Sequence, residues 1–129
     1  MWEKLTDDGS IHAWHHFYIW DNAFAVKIAT LNSGSFAGYN DWRVPNYKEL
    51  NSILNLENSF PAVAPAFHTG CIPGCNGIAC ACTQPSGYWS STSFAFNPTL
   101  AWIVYFNVGS VDLSGKSSVF YVRAVRSGS

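Results

Sequence analysis

The hydrophobic positions of the chain follow two periods. Trp20, Ala23, Phe24, Ile28 and Leu31 recur at helical spacing, and Asn32-Ser33-Gly34 supplies a stop, which predicts a first helix over Trp20 to Leu31. From Gly87 onward the period changes to two. Tyr88 to Thr92 is β-prone and lies between the breakers Pro85-Ser86-Gly87 and Asn97-Pro98. Leu100, Trp102, Val104 and Phe106 alternate with Ala101, Ile103, Tyr105 and Asn107. Both sets are largely apolar, so this segment is expected to be a central strand. A short strand around Val111 to Leu113 and a last strand over Phe120 to Arg126 complete an antiparallel meander. Helices followed by a run of strands define an α+β domain.

Between the two regimes lies Gly38 to Leu50, the densest stretch of local signals. Tyr39-Asn40-Asp41 is turn chemistry, and Pro45 forces Trp42-Arg43-Val44 to be extended. Asn46 and Glu49 have the spacing of a capping box, and Tyr47, Leu50, Ile53 and Leu54 then share one face of a second helix. Trp42 is expected to plug the core between helices and sheet. Arg43 is expected to be a buried cation needing an internal partner, with Asp41 and Glu49 the nearest acids. Leu56 to Phe67 is irregular, because Pro61 and Pro65 forbid a long helix.

At the N-terminus, Trp2 to Leu5 alternates as an edge strand would, and Asp7-Asp8-Gly9-Ser10 reads as a turn. His12, His15 and His16 are close together, but no Glu accompanies them in a metal-binding helix motif. They are expected to be structural or solvent-exposed, as is His68, so no metal and no cofactor are expected.

Composition narrows the function classes. With 129 residues, 12% of them charged and 16% aromatic, the chain has the size of one domain with a full core. A formal net charge of −1 gives no electrostatic footprint for nucleic acid. No apolar run approaches the roughly 18 residues of a membrane span, so membrane insertion is not expected. No signal-peptide core is present, so the chain is expected to be either cytoplasmic or a mature or excised domain.

The four cysteines, Cys71, Cys75, Cys80 and Cys82, lie in a loop insertion over residues 68–86. Their spacing lacks the paired CxxC knuckles of a structural zinc site, which favours two disulfides over zinc, and no CxxC redox motif is present. Three connectivities are possible. The nested one, Cys71–Cys82 with Cys75–Cys80, suits a hairpin tipped by Asn76-Gly77. Disulfides in turn imply an oxidising, extracytoplasmic compartment.

The Trp-Glu-Lys start, Gly-Tyr-Asn-Asp-Trp-Arg-Val-Pro-Asn-x-Lys-Glu-Leu, Pro-Ala-Val-Ala-Pro-Ala-Phe, Tyr-Trp-Ser-Ser-Thr, Ala-Trp-x-Val-x-Phe and Tyr-Val-Arg-Ala-Val-Arg occur in that order. Together they resemble the bacterial DUF1566 family, also named after the C-terminal domain of a collagen-like adhesin, over Trp2 to Gly128. The resemblance implies a relation to formylglycine-generating and sulfatase-modifying domains and a C-type-lectin-like fold: two helices on a small twisted antiparallel sheet with long irregular loops. It implies a secreted or surface module that binds a glycan or protein, and a homo-oligomer, a trimer by analogy with the adhesin. Trp42, Arg43, Pro45, Trp89, Trp102 and Arg123 fall within its scaffold motifs.

The same resemblance makes Ser93 to Thr99 and Asn107 to Ser118 the exposed binding loops. Within them and beside them, Phe94, Phe96 and Tyr105 are candidates for stacking, and Asn97, Asn107 and Asp112 for hydrogen bonding. The related catalytic branch uses a cysteine pair with copper, and the cysteines here do not match that arrangement. No nucleophile elbow, phosphate loop or spaced carboxylate pair is present either. The expected function is therefore a non-catalytic binding module. The alternatives are an enzyme of the sulfatase-modifying type and a structural or oligomerising domain.

Overall fold

The computed structural model describes residues 2–3, 5, 16–55, 61–63, 65–69, 71, 81–83, 85–107 and 109–126. A five-stranded sheet has the order β1-β6-β3-β4-β5, formed by Phe17–Tyr18 (β1), Gly87–Phe94 (β3), Asn97–Tyr105 (β4), Ser110–Gly115 (β5) and Phe120–Tyr121 (β6). A second, two-stranded sheet pairs Trp42–Arg43 (β2) with Val125–Arg126 (β7). All pairings are antiparallel except β3 with β6, which is parallel. The domain is α+β.

β4 is central, as its two apolar faces require: it pairs with β3 on one side and β5 on the other. Neighbouring residues in a strand point to opposite faces, and the core divides accordingly. Tyr88 and Val104 join Leu50, Ile53, Val63 and Phe106 in one cluster. Trp89 and Ile103 join Ala23, Ile28, Leu31, Trp42 and Val122 in the other. Gly87 is required where β3 passes the rings of the second cluster. A Cβ there would lie 2.6 Å from the Phe120 ring and 3.2 Å from Tyr105.

The first helix, α1, covers residues 20–33 and carries the expected apolar stripe. Its middle is a π-helix, Ala23–Ile28, flanked by α-helical Trp20–Asn22 and Ala29–Ser33. Lys27 lies inside the π segment and is fully buried with Ala23, Ile28 and Leu31. Past its end the chain takes left-handed conformations at Ser35 and Ala37 before Gly38. The second helix, α2 (Tyr47–Asn51), starts with the expected capping box. Glu49 N–H donates to Asn46 Oδ1 at 2.8 Å, and Asn46 N–H donates to Glu49 Oε1 at 2.9 Å.

Several expectations need correction. Phe120 to Arg126 is not one strand. Its ends lie in different sheets, with Val122, Arg123 and Ala124 buried between them. The short strand expected at Val111 to Leu113 runs from Ser110 to Gly115, and β1 gave no sequence signal. Among the described residues of the Trp2 to Leu5 segment, Trp2 forms an antiparallel bridge with Val125.

Trp42 is a core plug, as expected. It is buried with its indole Nε1–H donating to the Phe36 carbonyl at 2.9 Å. Arg43 pairs with Glu49, one of the two acids expected for it, through two N–H···O contacts of 2.6 Å, but it is half-exposed rather than buried. Asp41 pairs instead with Arg126, at 2.8 and 3.1 Å. The buried arginine is Arg123.

Candidate functional site

The β3–β4 hairpin ends in a turn at Ala95 and Phe96, and register shifts interrupt β3 on both sides of Ser93. Such irregularities re-aim side chains at the end of a sheet. Here they bring four aromatic rings into a row. Phe96 and Phe94 meet edge to face with centroids 5.4 Å apart. Phe94 stands on Trp102 at 5.9 Å, and Trp102 lies tilted against Tyr47 at 5.9 Å. Phe96 is 89% exposed, and the other three are half-buried. The row therefore runs from the surface of α2 to the hairpin tip as an apolar ridge.

The ridge rests on a firm base. Tyr47 opens α2 behind the capping box, and its backbone N–H donates to Thr92 Oγ1 at 3.2 Å. Ser91 N–H donates to the Pro45 carbonyl at 2.8 Å, tying the turn before α2 to β3. Asn97 beside the tip accepts at Oδ1 from Thr99 N–H and Thr99 Oγ1–H, at 3.2 and 2.7 Å. Those bonds use only the oxygen of its amide.

The six ligand-binding residues expected from sequence do not form one site. Phe94, Phe96 and Asn97 stay together at the tip. Tyr105 ends β4, about 27 Å from Asn97 at the usual rise of a strand, and packs against Phe120 with centroids 6.1 Å apart. Asn107 lies in the turn beyond it. Asp112 pairs in register with Ile103, on the opposite face from Trp102, and its carboxylate accepts from Leu113 N–H at 2.8 Å. The segments expected to be loops are largely ordered strands, so β-geometry separates residues that are close in sequence. Tyr47 and Trp102, read as core and scaffold, join the ridge instead. A half-buried aromatic leaves the same period in a sequence as a buried one.

The strongly perturbed ionisable groups lie inside the core. Lys27 Nζ donates to Glu3 Oε2 at 2.7 Å, and Ala124 N–H donates to Glu3 Oε1 at 3.1 Å. Burial depresses the Lys27 pKa, with the Glu3 carboxylate opposing that shift. Burial likewise depresses Arg123. Its guanidinium donates to the Cys82 carbonyl and, at 2.8 Å, to Thr83 Oγ1, and lies 5.3 Å from the Phe67 ring centroid. His68 accepts from Thr83 N–H at Nδ1, 3.1 Å away, and desolvation followed by the Arg123 charge lowers its pKa. This contact ties His68 to the 81–83 segment. These contacts fasten the N-terminal segment, α1 and the 81–83 segment to the chain around Arg123.

The expected Cys71–Cys82 disulfide is present, with Cα atoms 5.5 Å apart, and its Cys82 end is buried in the first core cluster. Two of the four sulfurs are thereby unavailable as thiolate ligands. The expected Cys75–Cys80 bond lies outside the described residues, as do His12 and His15; His16 is exposed. Among the described residues no group of three or more His, Cys, Asp or Glu side chains is placed to hold a metal ion. No described helix is long and apolar enough to cross a membrane.

Fold and site together define a disulfide-linked α+β domain with polar contacts inside and an aromatic ridge outside. The chain belongs to the Lcl C-terminal domain family, the DUF1566 family, whose model matches residues 1–126. No curated protein and no solved structure matches it.

Proposed function

We propose that this domain is a non-catalytic binding module that recognises a glycan or protein through the ridge of Phe94, Phe96, Trp102 and Tyr47. The observation that carries the reading is Phe96, a phenyl ring 89% exposed at a hairpin tip and continuous with three partly covered rings. Removing such apolar surface from water on binding is favourable, and aromatic rings supply large contact area at low entropic cost. The buried charged groups support the same reading, since Glu3, Lys27 and Arg123 are engaged in contacts between chain segments. A secreted or surface setting and a C-type-lectin-like architecture are part of this proposal, and the Cys71–Cys82 disulfide is compatible with an extracytoplasmic location.

The test is an array of glycans and extracellular proteins probed with the wild-type chain and a Phe94→Ala/Phe96→Ala variant. Loss of the wild-type signals in the variant supports the ridge. Identical profiles remove it from the binding surface.

A further inference from the structure

β5 ends the five-stranded sheet, and its first three residues, Ser110, Val111 and Asp112, are exposed. Natural edge strands are commonly blunted by proline, lysine or a bulge. Ser110–Gly115 contains no proline or lysine, and its six pairs with β4 run in unbroken register from Leu100↔Gly115 to Tyr105↔Ser110. Lys116 N–H donates to the Thr99 carbonyl at 3.0 Å, one pair beyond that run. Bonded and non-bonded pairs alternate in an antiparallel ladder. Ser110, Asp112 and Ser114 therefore turn their backbone groups toward β4, while Val111 and Leu113 turn theirs to the outer edge.

The edge has one local guard. The outward N–H of Leu113 is held by the Asp112 carboxylate at 2.8 Å. We propose that the outer edge of β5 is a docking strand for an extended polypeptide segment with apolar–basic–apolar alternation, its Lys or Arg opposite Asp112. Backbone pairing with Val111 and Leu113 supplies the affinity, as in strand addition generally. The apolar residues of the incoming strand lie beside Val111 and Leu113, and its cation draws the Asp112 carboxylate away from the Leu113 N–H. Asp112 also selects against self-pairing, because a twofold antiparallel contact centred on it would place two carboxylates directly opposite each other. Leu113 pairs in register with Trp102, so this edge adjoins the aromatic ridge, but its recognition groups are the β5 backbone and Asp112 rather than the ridge rings.

The test uses the full chain and two acetylated, amidated peptides, Ser-Thr-Val-Lys-Val-Thr-Ser and its counterpart with Glu in place of Lys. At millimolar concentration the Lys peptide is expected to slow amide exchange at Val111 and Leu113. It should bind about fivefold more tightly than the Glu peptide, the scale of a cross-strand charge pair. Leu113→Pro removes an outward donor without removing a bond to β4, which an edge strand tolerates, and should abolish binding. Asp112→Asn should retain binding and lose the preference for Lys. Phe96→Ala should change neither. Unchanged exchange with the Lys peptide, equal affinity for both peptides, or a peptide-free dimer that protects β5 would each overturn the proposal.

Discussion

The ammonium of Lys27 lies 2.7 Å from the carboxylate of Glu3, with both side chains essentially excluded from water. The pair fastens the N-terminal segment to the π-helical part of α1, and the backbone reinforces it, with Glu3 N–H donating to the Ala124 carbonyl at 2.9 Å. Removing one partner leaves the other charge buried without this contact, which typically costs about 3–5 kcal/mol. Lys27→Met and Glu3→Gln should each lower the urea midpoint accordingly. Lys27→Met combined with Glu3→Gln should recover part of that loss, because neither buried charge of the pair remains and an amide oxygen at position 3 keeps an acceptor for Ala124 N–H. Single variants as stable as the wild type would remove the pair from the core account.

Trp42 is clamped from two directions. Its backbone N–H donates to Asn32 Oδ1 at 2.8 Å, and its carbonyl accepts from Asn32 Nδ2 at 3.0 Å. Its indole fills the second core cluster against Phe36, at 5.1 Å between centroids. Trp42→Ala should destabilise the domain by about 3–5 kcal/mol, as large aromatic truncations in a core do. Asn32→Ala should cost about 1–3 kcal/mol by leaving the Trp42 backbone groups without these partners. Thermal unfolding of both variants checks the order of the two effects.

These residues also mark what the sequence could reveal. The Asn46–Glu49 capping box and the stripe of α1 were legible because each depends on local spacing alone. Asn32 read only as part of a helix stop, since its partner is ten residues away and is met through side-chain geometry. Lys27 stands within the apolar stripe, four residues past Ala23 and four before Leu31, but its charge argues for the solvent face, and the π segment is not visible as a hydrophobic period. The Phe120 to Arg126 pattern suited a strand, yet pairing assigned its two ends to separate sheets. At the candidate site, Phe94 and Phe96 were legible as aromatics near a turn. The row they form with Trp102 and Tyr47 was not, because it arises from the β3 irregularity and the docking of α2.

His68 supplies a pH dependence whose sign follows from its environment. Its folded pKa lies below the ordinary value of 6.5, through desolvation first and the Arg123 charge second. The unfolded chain therefore binds the proton more readily, and the His68 contribution to stability is full above pH 6.5 and declines as pH falls below it. Protonation would also remove the Nδ1 acceptor that Thr83 N–H uses. Unfolding midpoints measured between pH 7.5 and roughly 5 should fall for the wild type. A His68→Gln variant should show a weaker fall over the same range, and equal slopes would contradict this assignment.

The Cys71–Cys82 disulfide closes a loop with a sequence separation of 11. In the chain-entropy account such a loop contributes about 3 kcal/mol by restricting the unfolded state. Cys71→Ser/Cys82→Ser should lower stability by that order, and mass spectrometry of the alkylated, non-reduced chain should find neither Cys71 nor Cys82 labelled. Labelling of both in the unreduced protein would contradict the bond.

The ridge is tested most directly by Phe96→Ala alone, because a side chain 89% exposed contributes little to the core. On an array of glycans and extracellular proteins, the wild-type chain should give specific signals that fall at least tenfold in the variant, the effect of about 1.4 kcal/mol of binding energy. The melting temperature should remain unchanged. Wild-type signals retained at full strength by a folded Phe96→Ala chain would contradict the central claim.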